Sequence, residues 1–257
     1  MVNPVVVSYE SGDPAPGPVL VLGVGGSGTR VIVEILEAMG VFMGADGRPP
    51  KECEWALWDE DLIDRVIRGA SPADIQAIQE RALEILFRFE KELPEGASGF
   101  GWKARRAQFV LPFLREVMPD LRLIHLWRDP RDMIFSSRIF GAVKRFRHLY
   151  ELEYDSQEER KLRFWMEHNR RAVLGTLEAG APVLHVGFEN LCADPEFEVG
   201  RIAAFLGLPA EKAAEIVKPP DTIGRYIGRL EVPEAMVAQA RAMIPDKALF
   251  IMGALGW

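Results

Sequence analysis

The sequence predicts an α/β fold, a three-layer sandwich with a central parallel sheet and helices on both faces. Three observations predict it. Apolar runs over residues 19–22, 121–127 and 181–186 read as buried strands. Stretches with helical apolar spacing separate them, the alternation that right-handed crossovers turn into a parallel sheet. The first run leads through Gly23-Val24-Gly25-Gly26-Ser27-Gly28-Thr29-Arg30 into a helical pattern, a P-loop-like strand–turn–helix unit.

In chain order, residues 1–17 are rich in Pro, Gly and Ser after Val5-Val6-Val7 and predict an N-terminal arm or edge strand. A single domain is expected over residues 18–257. Beyond the glycine turn, Val31, Ile35, Leu36 and Met39 mark the buried face of a helix. Residues 41–58 hold Gly44, Gly47, Pro49 and Pro50 and read as a long loop. The acidic residues Glu54, Asp59 and Glu60 cluster at its end, and loops of that length are often functional. Ser71 and Pro72 start a helix with Ile75, Ile78, Ala82, Leu86, Phe89 and Leu93 at helical spacing. Residues 94–101 read as a turn-rich break, followed by Trp102-Lys103-Ala104-Arg105-Arg106 and a helix through Val110, Phe113, Leu114 and Val117.

The second strand runs into Arg128-Asp129-Pro130-Arg131-Asp132, which opens a helix through Ile134, Ser136, Ser137 and Ile139. Within it Arg131 and Asp132 are expected to pair. Ser156 with Glu159 reads as a capping box, and Leu162, Trp165, Met166, Val173 and Leu177 as the inward face of the helix it starts. After the third strand comes Phe188-Glu189-Asn190-Leu191, where Glu189 is expected to brace a helix. Asp194-Pro195 then opens a helix ending at Phe205-Leu206-Gly207-Leu208-Pro209. Short helices are expected near residues 210–217 and 233–243.

Composition bounds the function. The chain has 257 residues, 48% of them hydrophobic, and can bury a core. No apolar run approaches the roughly 20 residues that span a membrane. The N-terminus carries no secretory pattern, and two cysteines, Cys53 and Cys192, point to a reducing, cytoplasmic setting. A net charge of -7 argues against nucleic acid as a partner. Local basic clusters at Arg105–Arg106, Arg128–Arg131 and Lys144–Arg147 instead suit a small anionic ligand. No His/Cys cluster has metal-ligand spacing, so no metal is expected. His125 reads as a core histidine, and the sequence shows no partner for His168 or His185.

In a parallel sheet, ligands sit beyond the carboxyl ends of the strands. The glycine turn and Arg128 both follow strand ends, so one crevice could hold both. The glycines admit a close anion, and Ser27 and Thr29 add hydroxyl donors. Arg128 can grip a phosphate with two charge-assisted hydrogen bonds. The turn departs from G-x-x-x-x-G-K-[ST], because Thr29 stands at the lysine and Arg30 at the magnesium-binding hydroxyl. Trp55, Trp58, Phe100 and Trp102 could line an apolar pocket or simply fill the core.

Four segments together resemble the sulfotransferase family of the bacterial type, which uses 3′-phosphoadenosine 5′-phosphosulfate. Residues 23–29 resemble its loop for the 5′-phosphosulfate. Arg128 to Asp132, with Ser136 eight residues after Arg128, resemble its 3′-phosphate motif. Phe188 to Leu191, Asp194-Pro195 and Phe205 to Pro209 resemble its acidic-Leu…Asp-Pro…Phe-Leu-Gly segment. Trp102-Lys103 is similar to a lysine that precedes the 3′-phosphate motif in many bacterial members. The resemblance implies sulfuryl transfer from that nucleotide to a hydroxyl or amine of a small-molecule or glycan acceptor, with no metal. It implies nucleotide contacts from Gly25, Gly26, Ser27, Gly28, Thr29, Arg30, Arg128, Ser136 and, near the C-terminus, Arg225. The family usually has Lys or Arg where this chain has Gly26; Lys103 and Arg30 are expected to supply that charge. Glu54, Asp59 or Glu60 is expected to take the acceptor proton. A small-molecule kinase with a degenerate loop and a non-catalytic nucleotide-binding protein are the alternatives.

Overall fold

Apolar residues packed on both faces make a central strand, and all five residues of β1, Val19–Gly23, are buried. The computed structural model describes residues 17–44, 60–104, 106–136, 139 and 156–227. In chain order the strands are β1, β2 (Val41–Phe42), β3 (Gly99–Lys103), β4 (Arg122–Trp127) and β5 (Val183–Gly187). They form one sheet in the order β2-β3-β1-β4-β5, parallel throughout. The helices are α1 (Thr29–Ala38), α2 (Glu60–Gly69), α3 (Pro72–Glu92), α4 (Leu111–Val117), α5 (Pro130–Ile134), α6 (Gln157–Ala179), α7 (Phe188–Ala193) and α8 (Pro195–Leu206).

The period of two along β1 divides the core. Leu20 and Leu22 face a cluster with side chains of α2, α3 and α4. Val19 and Val21 face the opposite cluster, with α1, α7 and α8. The expected three layers are therefore present.

Local signals set most boundaries. Ser71 caps α3 by accepting from the Asp74 N–H, and Asp74 returns the bond to the Ser71 N–H. Ser156 accepts from the Glu159 N–H at the start of α6, which is the first half of the box expected there. Asp194 caps α8, and Gly207 closes it in the left-handed conformation.

Four readings need correction. Residues 99–101, read as the end of a break, form a strand with Trp102 and Lys103. Gly101 explains both the strand and the misreading: a Cβ there would lie 2.5 Å from the Val19 carbonyl oxygen, so β3 packs against β1 only because the position is bare. Val41 and Phe42, assigned to a loop, pair with Gly99 and Phe100 at the sheet edge. Helix α5 ends at Ile134, whose carbonyl accepts from Lys161 Nζ at 2.7 Å, so Ser136 lies past the helix. Leu177 on α6 is exposed, not inward. Helix α2 was not anticipated, although Leu62, Ile63, Val66 and Ile67 pack against the core at helical spacing. Residues 1–16 and 233–243 lie outside the described residues.

After β1 the chain crosses the α1 face to β2, and α2 and α3 on the opposite face lead on to β3. After β4 it crosses that opposite face, where α5 and α6 pack, and continues to β5. Neighbouring strands whose connections diverge open a crevice at their carboxyl ends. Here those strands are β1 and β4. Among the described residues no helix is long and apolar enough to cross a membrane.

Behind the crevice, His125 of β4 and His185 of β5 are register partners with ring centroids 5.3 Å apart. His125 Nε2 lies 3.1 Å from Asn169 Oδ1, and Trp127 Nε1 donates to His185 Nδ1 at 3.2 Å. Gln108 Nε2 lies 3.1 Å from His168 Nδ1, so the structure supplies partners for both histidines that had none in the sequence. Burial first, then the neighbouring His185, hold His125 well below its ordinary pKa. Burial, then Arg201, lower His185 to about 4. Both rings are neutral when folded but take protons near pH ~6.5 when unfolded. The stability they contribute is complete above about pH 6.5 and drains away as pH falls towards about 4. His185→Gln keeps an acceptor for Trp127 and cannot titrate. It is expected to flatten the fall in Tm measured by thermal melts from about pH 7 to about pH 4.5; a slope equal to wild type would contradict this.

Candidate active site

β1 delivers the glycine turn. Gly26 and Gly28 have φ of 98° and 100°, a region that disfavours residues with a Cβ. A Cβ on Gly28 would also stand 2.3 Å from the Phe188 ring, so the turn is pressed against the start of α7. Ser27 N–H closes the turn onto the Val24 carbonyl at 3.0 Å. Among the described residues no side chain caps the first turn of α1. Its free amides and the helix dipole therefore favour an anion. Ser27 Oγ is buried with no hydrogen-bond partner among the described residues, which fits a hydroxyl kept for a ligand.

β4 delivers Arg128, 5% exposed. Its Nη1 donates to the Gly26 carbonyl at 3.3 Å. Its Nη2 donates to the Thr222 carbonyl and to Thr222 Oγ1, both at 2.8 Å. The guanidinium carbon lies 4.7 Å from the centroid of the Phe188 ring. Two carboxylates stand at the outer edge of ion-pair distance: Asp132 Oδ2 at 3.7 Å and Glu189 Oε1 at 4.0 Å. Arg128 thus joins the glycine turn, the start of α7 and the segment around residue 222.

Neighbouring groups hold this junction. The Asp129 N–H donates to Glu189 Oε1 at 2.9 Å, the bracing role expected of Glu189. Burial is the largest influence on that carboxyl and raises its pKa. Arg131 pairs with Asp129, not with Asp132 as expected, because Asp129 also caps α5 by accepting the Arg131 N–H. The Gly224 N–H donates to Asp132 Oδ2 at 2.9 Å, and Arg225 Nε donates to the Asp132 carbonyl at 2.5 Å. Arg131 stacks on Tyr226 at 4.2 Å.

The other expected site residues fall around this junction. Gly25 belongs to the glycine turn, and Thr29 opens α1 as a buried residue. Arg30 is exposed on the first turn of α1. Lys103 ends β3 and is buried; pairing with Val21 places it on the sheet face covered by α1. Ser136 is buried just past α5. Glu54, Asp59, Trp55 and Trp58 lie outside the described residues, as does the side chain of Glu60, which opens α2. Phe100 and Trp102 belong to the core: Phe89 stacks on Phe100 at 5.0 Å and lies 6.1 Å from Trp102. Sequence reasoning missed the bond from Arg128 to Thr222 and the bond from the Gly224 N–H to Asp132.

A family model described as the sulfotransferase family matches residues 18–212. The chain belongs to the sulfotransferase family. Its fold is similar to that of the sulfotransferase domain from the curacin biosynthetic pathway, with a TM-score of 0.54 and 14% identity over 94% of this chain and 98% of that one. It is also similar to the sulfotransferase domain of the Synechococcus PCC 7002 olefin synthase, with a TM-score of 0.51 and 16% identity over 97% of this chain and 98% of that one. Among curated protein sequences none matches it. Gly26, where the resemblance has Lys or Arg, takes a φ of 98°, a region that disfavours residues with a Cβ.

Gly28→Ala meets both a disfavoured φ and the Phe188 ring. It is expected to cost about 2 kcal/mol or more and to lower Tm by at least ~4 °C in a thermal melt. A Tm equal to wild type would show that the turn is not pressed against α7.

Proposed function

We propose that this sulfotransferase moves the sulfuryl group from 3′-phosphoadenosine 5′-phosphosulfate to a hydroxyl or amine of a small-molecule or glycan acceptor. The observation that carries the reading is the contact of Arg128 with Gly26. It brings a cationic cradle and a glycine-lined amide cradle within reach of the two anionic ends of one nucleotide.

Each end has its own set of residues. The 5′-phosphosulfate takes the amides of Gly25, Gly26, Ser27, Gly28 and Thr29 with the Ser27 and Thr29 hydroxyls. The 3′-phosphate takes Arg128, Ser136 and Arg225. In the reaction the acceptor oxygen or nitrogen bonds to sulfur as the bond from sulfur to the 5′-phosphate oxygen breaks. The acceptor proton passes to a carboxylate, with Glu54, Asp59 and Glu60 as candidates, and 3′-phosphoadenosine 5′-phosphate leaves. Such a transfer needs alignment and held charge more than covalent help from the protein. Lys103 supplies the charge missing at Gly26, with Arg30 as a weaker second. A buried cation works in a lower dielectric than an exposed one.

Charge supports a small anionic ligand over nucleic acid, since the whole chain carries -7. Among the described residues Cys192 is a buried free thiol, which fits a reducing, cytoplasmic setting. Gly26 also favours a second reading, a protein that binds the nucleotide without transferring sulfuryl.

Two measurements test these readings. In calorimetry, 3′-phosphoadenosine 5′-phosphate is expected to bind without magnesium and more tightly than ATP, and Arg128→Ala is expected to weaken it by about tenfold or more. Preference for ATP with a magnesium requirement would favour a kinase instead. In turnover assays Lys103→Ala is expected to lower kcat by about 100-fold while nucleotide affinity stays close to wild type. An unchanged kcat would remove Lys103 from the reaction, and no turnover by wild type with any acceptor class would favour the binding protein.

A further inference from the structure

We propose that Asp132 is a positioning residue of this site: it pins the segment from Thr222 to Arg225 over Arg128 and so aims the guanidinium. The consequence for catalysis rests on the donor reading above; the pin itself does not.

Asp132 is 1% exposed. It lies four residues beyond Arg128, on α5, while Arg128 stands between β4 and that helix. Its Oδ2 accepts the Gly224 N–H at 2.9 Å and stands 3.7 Å from Arg128 Nη2. Its own carbonyl accepts from Arg225 Nε. One residue therefore touches both the arginine and the segment laid over it. Thr222, two residues before Gly224, is the part of that segment that bonds Arg128, through two oxygens at 2.8 Å.

Fold stability alone explains Asp132 poorly. A buried carboxylate pays desolvation, and a guanidinium at 3.7 Å returns little of it. Its Oδ1 has no hydrogen-bond partner among the described residues. Pinning explains the placement. The bond to Gly224 fixes Thr222, and Thr222 fixes Nη2, leaving Nη1 on the Gly26 carbonyl. Without the pin the segment keeps the Arg225 bond to the residue 132 carbonyl, the Arg131–Tyr226 stack and the packing of Ile223, but the Gly224 end loosens and Thr222 holds the guanidinium less firmly.

Asp132→Ala removes the acceptor. Asp132→Asn keeps a carbonyl oxygen for the Gly224 N–H and removes the charge. Hydrogen exchange of residues 222–227 in ligand-free protein is expected to quicken about tenfold in Asp132→Ala and to stay within about threefold of wild type in Asp132→Asn. With 3′-phosphoadenosine 5′-phosphosulfate as donor, Asp132→Ala is expected to raise donor KM about tenfold with kcat within about threefold, and Asp132→Asn to restore KM. Should the alanine variant fail to fold, Asp132→Ser, too short to reach Gly224, carries the same expectations. Wild-type exchange in the alanine or serine variant would overturn the proposal. So would an asparagine variant that exchanges as fast as alanine. Faster exchange in the alanine variant, with wild type unable to bind 3′-phosphoadenosine 5′-phosphate, would support the pin and remove the donor reading.

Discussion

Arg128 is a full positive charge taken out of water and held mostly by neutral groups. Two carbonyls, one hydroxyl and one aromatic face contact it, while its two carboxylate neighbours stand at 3.7 and 4.0 Å. A buried cation left in this state is costly unless something completes it. An anion arriving at the carboxyl ends of β1 and β4 would do so. The chemistry assigned to this chain depends on that incomplete compensation.

The sheet makes the arrangement possible. Five parallel strands send every strand end to one edge, and the connections diverge between β1 and β4. The glycine turn approaches from one side and Arg128 from the other. Phe188, at the start of α7, touches both: its ring lies under the guanidinium and against Gly28. One aromatic ring therefore sets the spacing of the two cradles. Behind them Trp127, His125 and His185 fill the sheet face under α6 with polar groups that stay neutral when folded.

Much of this was legible in the sequence, for identifiable reasons. Long periodic helices such as α3 and α6 announce themselves, and so do strands rich in branched residues such as β1 and β4. The shared crevice followed from two strand ends carrying anion-binding residue types. What was hidden depended on contact rather than pattern. β3 reads as a break because glycines bring it against β1, and a bare position leaves no hydrophobic period to see. The last carbonyl of α5 is bonded by Lys161, which arrives from another helix, a contact no local pattern announces. Arg131 has acidic neighbours at positions 129 and 132, and only the capping geometry of Asp129 decides between them. Thr222 is nearly a hundred residues from Arg128, and no local rule joins them.

The most direct test is a crystal structure of the chain with 3′-phosphoadenosine 5′-phosphate bound. The account predicts the 3′-phosphate against the Arg128 guanidinium and the Ser136 hydroxyl, with the 5′-phosphate on the amides between Gly25 and Thr29. A nucleotide bound away from both cradles would contradict it.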